Sequence, residues 1–66
     1  MITEYERDLI KTIKDREAEI VAIEYASRRM FGDPGLYILD LIKADLIDES
    51  VKAAEELIRV RKDRVR

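Results

Sequence analysis

The chain has 66 residues, of which 47% are apolar and 42% charged, and its formal net charge is −2. It contains no cysteine and no histidine, which excludes disulfides, thiolate metal sites and the most common catalytic base. Because so short a chain buries only a small share of its surface, we expect oligomerisation to stabilise it.

This composition favours an amphipathic helical protein, since a disordered chain would be less hydrophobic. Asparagine, glutamine and tryptophan are also absent, a pattern typical of thermophile proteins and equally of designed ones. Met1 is followed by acidic residues rather than by an apolar leader, and the apolar run over residues 36–39, which no other run exceeds, is too short for a bilayer span. We therefore expect a cytoplasmic protein with no membrane partner.

The first predicted element is a helix over residues 3–31. Thr3 can cap its N-terminus, and the acidic residues that follow are favoured there by the helix dipole. The apolar side chains share one face at helical spacing; they include Ile2, Leu9, Ile13, Ile20 and Phe31. Arg16, Glu24 and Ser27 interrupt this face. We interpret them as a polar layer that fixes the register of a bundle, and the alternative is a charged layer that binds an anionic ligand.

The loop over residues 32–35 contains the only proline and both glycines of the chain. Gly32 can adopt the left-handed conformation that ends a helix. Asp33 can cap the next helix, and Pro34 fits a first helical turn because its missing N–H would be unpaired there. These residues predict a tight reversal between two antiparallel helices.

The second predicted helix covers residues 35–65. Its apolar face spans about half of the helix circumference, which is wider than one partner helix can cover. The members of this face are Leu36, Leu39, Ile42, Leu46, Ala53, Ala54, Leu57, Ile58 and Val65, and it is widened by Ile47, Val51 and Val60. Such a width is typical of a helix with two neighbours in a four-helix bundle. Asp48 or Ser50 could cap a new helix after Ile47, but no glycine or proline supports a break, so we predict one continuous helix.

The two predicted helices agree with each other in charge. If Phe31 lies opposite Leu36, facing residues have numbers that sum to roughly 67. This register predicts the pairs Glu24 with Lys43, Ser27 with Asp40, and Glu6 with Arg61. Arg16 falls near Val51, where we expect no acidic partner. The cations that interrupt the second apolar face thus meet acids of the first helix, which supports the antiparallel hairpin.

The C-terminal residues 59–66 are basic, with Asp63 as their only acid. Arg61, Lys62 and Arg64 are therefore candidate contacts for nucleic-acid phosphates. Cations are also favoured at a helix C-terminus, and a net charge of −2 is far from the basic balance of a dedicated nucleic-acid module. We rank nucleic acid below the chain itself as a partner.

No residue pattern predicts catalysis, a cofactor or a metal site. The available nucleophiles lack a histidine to activate them; they are Thr3, Thr12, Ser27 and Ser50. Glu17 and Glu24 could bind a hard cation across a dimer, but nearby cations already neutralise these carboxylates. Arg16 and Arg28, with Glu24, could hold a dianionic ligand or substrate. We predict a non-enzymatic protein without cofactor or metal.

The first turns of the second predicted helix are apolar on all sides, and a contiguous apolar surface seldom stays in water. The predicted interaction residues are Met30, Phe31, Tyr37, Ile38, Leu41 and Ile42. Together these patterns predict an all-α fold: a single domain over residues 1–66, in which an antiparallel helical hairpin dimerises into a four-helix bundle through isologous contacts. The predicted function is oligomerisation or protein–protein interaction, and the alternative occupant of the patch is a helix of another protein.

Overall fold

The structure, a computed structural model, describes residues 2–65. Two α-helices, α1 (Glu4–Arg29) and α2 (Leu36–Val65), pack against each other as a hairpin. Its Cα atoms extend over 52 × 14 × 12 Å, so the molecule is a single layer of two helices. The predicted all-α hairpin is confirmed. Among the described residues, neither helix combines the length and the hydropathy that a bilayer span requires.

α1 begins at an N-cap that Thr3 provides. The Thr3 Oγ1 accepts a hydrogen bond from the Glu6 backbone N–H at 3.1 Å, which satisfies one of the unpaired donors at the start of the helix. α1 ends at Arg29, two residues before the predicted boundary. The Met30 N–H donates to the Ser27 carbonyl at 3.1 Å, a tighter bond three residues back that closes many helices. The turn therefore starts at Met30.

The reversal depends on Gly32 and Asp33. Gly32 has a φ of +83°, in the left-handed region where a residue with a Cβ is strained. The Asp33 Oδ1 accepts a hydrogen bond from the Gly35 N–H at 2.7 Å, so the side chain of Asp33 closes the turn that leads into α2, which itself begins at Leu36. Met30 packs over Gly35, where an added Cβ would approach the Met30 Cε to 3.0 Å. The turn is thus compact on both sides of Asp33.

α2 runs without interruption from Leu36 to Val65. This confirms the prediction of one continuous helix through residues 47–50. Asp48 and Lys52 form an ion pair across that segment at 2.9 Å, which requires the regular spacing of residues one helical turn apart.

The contact between the helices follows a seven-residue repeat. The side chains along it are buried or half-buried; in α1 and its C-cap they are Glu6, Leu9, Ile13, Arg16, Ile20, Ile23, Ser27 and Met30, and in α2 they are Leu36, Leu39, Lys43, Leu46, Ser50, Ala53, Leu57 and Val60. A repeat of seven matches the 3.5 residues per turn of coiled coils. Of the apolar side chains described, only Leu46 and Ala53 are more than nine-tenths buried, so the core between the helices is thin.

Two predicted ion pairs across the hairpin are confirmed. The Glu24 Oε1 lies 3.2 Å from the Lys43 Nζ, and the Glu6 Oε2 lies 3.5 Å from the Arg61 Nε. The first pair is near the loop and the second is near the open end of the hairpin. Together they show that the helices are antiparallel and in the predicted register.

Two other register predictions are wrong. Ser27 does not pair with Asp40: its Oγ is buried without a hydrogen-bond partner, because Ser27 lies between the helices whereas Asp40 is exposed. Arg16 does have acidic partners, since its guanidinium pairs with Glu49 at 3.2 Å and with Glu19 at 3.1 Å. Residue numbers fix the level along the hairpin, but not the direction around each helix or the reach of a long side chain.

Gly32→Ala should lower the free energy of unfolding by about 1 kcal/mol, because alanine is strained at positive φ. An added Cβ would meet no atom within 4 Å there, so the loss measures backbone strain alone. Gly32→Asn is the matched control and should lose less, because asparagine tolerates this region better. Urea unfolding at one fixed protein concentration measures both. Equal stability of wild type and Gly32→Ala would show that Gly32 does not need a left-handed conformation.

Candidate interaction surface

The open end of the hairpin is held by one buried carboxylate. Glu6 has no exposed surface, although it lies in the first turn of α1. Its side chain accepts a hydrogen bond from the Thr3 hydroxyl at 3.3 Å and forms ion pairs with Arg61 and Arg64 of α2. Sequence reasoning identified Arg61 as a partner but missed Arg64. The sequence feature that points to Arg64 is its three-residue spacing from Arg61, which places both arginines on the side of α2 that meets Glu6.

Arg16 occupies the middle of the hairpin. Its guanidinium bridges Glu19 of α1 and Glu49 of α2, while its Nε is buried without a hydrogen-bond partner. Near the loop, Lys43 neutralises Glu24 in the same way. Two of the three residues considered for an anionic ligand, Arg16 and Glu24, are therefore engaged in ion pairs across the hairpin.

One flank of the hairpin is polar; we call it the charged flank and define it by Arg16, Glu49, Tyr5, Glu56 and Arg59. Partial burial, followed by the nearby Glu56 carboxylate, raises the pKa of the Tyr5 phenol above its ordinary value of 10.0. The hydrogen bond from Arg59 holds the pKa of Glu56 below its ordinary value of 4.5, and the Arg59 Nε lies 3.2 Å from the Glu56 Oε2. Most side chains of the charged flank therefore already have an ion-pair or hydrogen-bond partner within the same hairpin.

The predicted interaction residues lie around the loop. Phe31 is 94% exposed and Tyr37 is 69% exposed, and Ile38, Leu41 and Ile42 are exposed as well. Met30 differs from the other five, because it is half-buried and packs over Gly35 within its own turn.

The exposed apolar surface of α2 continues far beyond the loop. We call this part the apolar flank; it consists of Tyr37, Ala44, Ile47, Val51, Ala54, Ile58 and Val65. All of them except the half-buried Ala54 are exposed. At about 100° per residue, Ile47 lies roughly 80° to one side of the direction that faces α1, and Glu49 lies roughly 80° to the other side. The apolar flank and the charged flank are thus opposite sides of the hairpin.

Sequence reasoning assigned Ile47, Val51 and Val65 to one broad apolar face, and it did not separate a second stripe from the stripe that meets α1. The missed signal is the seven-residue spacing of Tyr37, Ala44, Val51, Ile58 and Val65. Positions seven apart drift by only about 20° around a helix, so this row stays on one side of α2.

A shallow depression lies at the C-terminal end of the apolar flank. Ile58, Arg61, Lys62 and Val65 line it, and its wall is almost entirely apolar. The candidate nucleic-acid contacts are therefore divided: Arg61 and Arg64 bind Glu6, and the stem of Lys62 forms part of the depression.

In the described part of the chain, no three acidic side chains are grouped so that they could share a metal ion.

Comparison with protein-family models, with curated proteins and with solved structures finds no significant match to this chain. The surface chemistry therefore carries the functional interpretation.

Glu6→Gln should lower the free energy of unfolding by about 1–2 kcal/mol, because two arginines lose the charge that they share while staying partly hydrated. Glu4→Gln is the matched control: it removes the same charge from the same turn at an exposed position, and it should cost only a few tenths of a kcal/mol through the helix dipole. Urea unfolding measures both variants. Equal losses would show that Glu6 acts through the dipole and not through the arginines.

The stability contributed by the bond between Arg59 and Glu56 should depend on pH. The folded pKa of Glu56 is depressed below 4.5, so this contribution is present above the unfolded pKa and is lost as the pH falls through the folded value. The gap in urea midpoint between wild type and Arg59→Ala should therefore shrink between pH 6 and pH 2. Arg7→Ala, at an exposed position, is the control, and its gap should change less. A pH-independent gap for Arg59→Ala would contradict the assignment.

Proposed function

We propose that this chain is a self-association module in which two helical hairpins pair side by side into a four-helix bundle and which acts by assembly rather than by chemistry. The observation that carries the proposal is the amount of uncovered surface. Folded monomeric proteins of 7.8 kDa expose about 4,400 Å², whereas this chain exposes 5392 Å². The excess, about 1,000 Å², is similar to the roughly 800 Å² that each partner buries in a standard interface.

The chemical character of the surface supports the same proposal. Thirteen large apolar side chains are exposed among the described residues, whereas two apolar side chains are nine-tenths buried. Five of the thirteen lie on the apolar flank, and a monomer seldom leaves a contiguous apolar stripe of this length in water. A second hairpin can cover the apolar flank of the first, because its own apolar flank has the same length and the same composition.

Self-association is favoured over the other functions considered. Arg16 and Glu24 are held in ion pairs, and two of the three basic candidates bind Glu6. No contact in the described residues favours a nucleic acid or an anionic ligand as a partner. The cytoplasmic location and the thermophile-like or designed origin stay predictions.

Sedimentation should show a dimer at micromolar concentration that dissociates on dilution. Tyr37→Glu should raise the dissociation constant at least tenfold, because a charge would be buried in the interface. Tyr25→Glu is the matched control, since Tyr25 is an exposed tyrosine on α1 that already contacts Arg29, whose guanidinium lies 4.6 Å from the ring centroid.

A folded monomer at every concentration tested would contradict the proposal. Equal weakening by Tyr37→Glu and Tyr25→Glu would also count against it, because association would then respond to added charge anywhere on the hairpin. Circular dichroism confirms that each variant keeps its helices.

A further inference from the structure

We infer that the partner on the apolar flank is a second copy of this chain whose α2 runs antiparallel to the first α2, so that Tyr37 of each copy enters the depression at the C-terminal end of the other. This inference rests on the proposed self-association and specifies its interface.

The apolar flank forms a second seam, that is, a second row of side chains along α2 that can pack against a neighbouring helix. Tyr37, Ala44, Val51 and Ile58 recur every seven residues, the spacing of the row that already packs against α1. Ile47 and Ala54 form a further row, which lies between the row of Tyr37 and the row that packs against α1. Two seams about 100° apart are what a helix needs to contact two neighbours in a bundle. The α2 helix already has one neighbour, α1, and the second seam lies open.

Covering the charged flank instead would be costly. A partner there would bury the contacts that Arg16 makes with Glu49 and that Arg59 makes with Glu56. Removing such pairs from water costs more than an exposed pair returns. Pairing through the apolar flank leaves these contacts hydrated and covers apolar surface.

Charge complementarity selects the antiparallel orientation. Asp40 and Lys62 are exposed near opposite ends of α2, at equal distances in sequence from Val51. Antiparallel helices centred near Val51 place Asp40 of one copy beside Lys62 of the other. Parallel helices place Asp40 beside Asp40 and Lys62 beside Lys62, and such like-charge contacts are unfavourable.

Shape complementarity gives the same orientation. Tyr37 and Val65 are also equally distant from Val51, so antiparallel pairing brings Tyr37 to within about one turn of the depression lined by Ile58 and Val65. The aromatic ring can cover the apolar wall while its hydroxyl stays at the wet rim. The Lys62 ammonium at that rim is placed to contact the face of the ring.

Two glutamate substitutions, at positions of similar exposure on opposite sides of α2, test which side of α2 contacts the second copy. Val51→Glu should raise the dissociation constant of the dimer by about a hundredfold or more, because two charges would meet at the centre of the seam. Ile42→Glu, beside the charged flank, should change it less than about threefold. Sedimentation measures association, and circular dichroism confirms folding. A dimer that survives Val51→Glu and dissociates with Ile42→Glu would overturn the inference while leaving self-association intact.

The orientation is tested by spin labels, which need no substitution in the seam. The chain has no cysteine, so Ile38→Cys introduces a single labelling site near the loop. Antiparallel pairing predicts a distance between the two labels of roughly 40 Å or more, and parallel pairing predicts less than roughly 25 Å. A mixed dimer of Ile38→Cys with Asp63→Cys should show the reverse, a short distance for antiparallel helices.

A short distance between the two Ile38→Cys labels would overturn the antiparallel arrangement. A monomeric wild-type chain would overturn both this inference and the proposed function. The two failures are therefore distinct, because the first requires a dimer and the second excludes one.

Discussion

Two helices that lie side by side can cover only one stripe of each other, and this limit governs the surface of the hairpin. The reversal at Gly32 brings α1 and α2 together along one seam. Because each helix is about 10 Å wide, the remaining sides face outward. α2 has too many apolar residues for one stripe, and the surplus forms the apolar flank. The apolar flank is thus a consequence of the topology, not a defect of packing.

Polar residues take up much of the seam itself. Glu6, Arg16, Lys43 and Ser27 occupy positions where apolar side chains would have enlarged the core. The three charged ones pair across the hairpin, with Arg61, Glu49 and Glu24 respectively for Glu6, Arg16 and Lys43, so they define the register, as polar residues do in coiled coils. Their net contribution to stability is small, because ion pairs that are partly buried lose hydration. Because the seam specifies register with a thin core, much of the apolar surface of α2 stays uncovered in the single hairpin.

The fold was predictable where the signals are local. Gly32 and Asp33 mark the turn through backbone conformation and capping, and these depend on neighbours in sequence. The pair of Glu24 with Lys43 followed from the register, which counts residues from the turn. The partners of Arg16 did not, since a long side chain reaches acids about 3 to 4.5 Å above or below its own level.

The candidate surface was predictable only in part, for a related reason. A count of apolar positions shows that α2 has too many apolar side chains for a single partner helix to cover. The residues around Tyr37 are recognisable in the sequence because they lie next to the loop. Val51 and Ile58 look like core residues until the orientation of α2 against α1 is known. The structure supplies this orientation through the buried Leu46 and Ala53.

Small-angle X-ray scattering on the wild-type chain tests most directly whether the uncovered surface joins two hairpins side by side. Paired hairpins predict a mass of twice 7.8 kDa in a particle whose length stays close to the 52 Å of one hairpin. The mass of a single chain, or a dimer of nearly twice that length, would contradict side-by-side pairing.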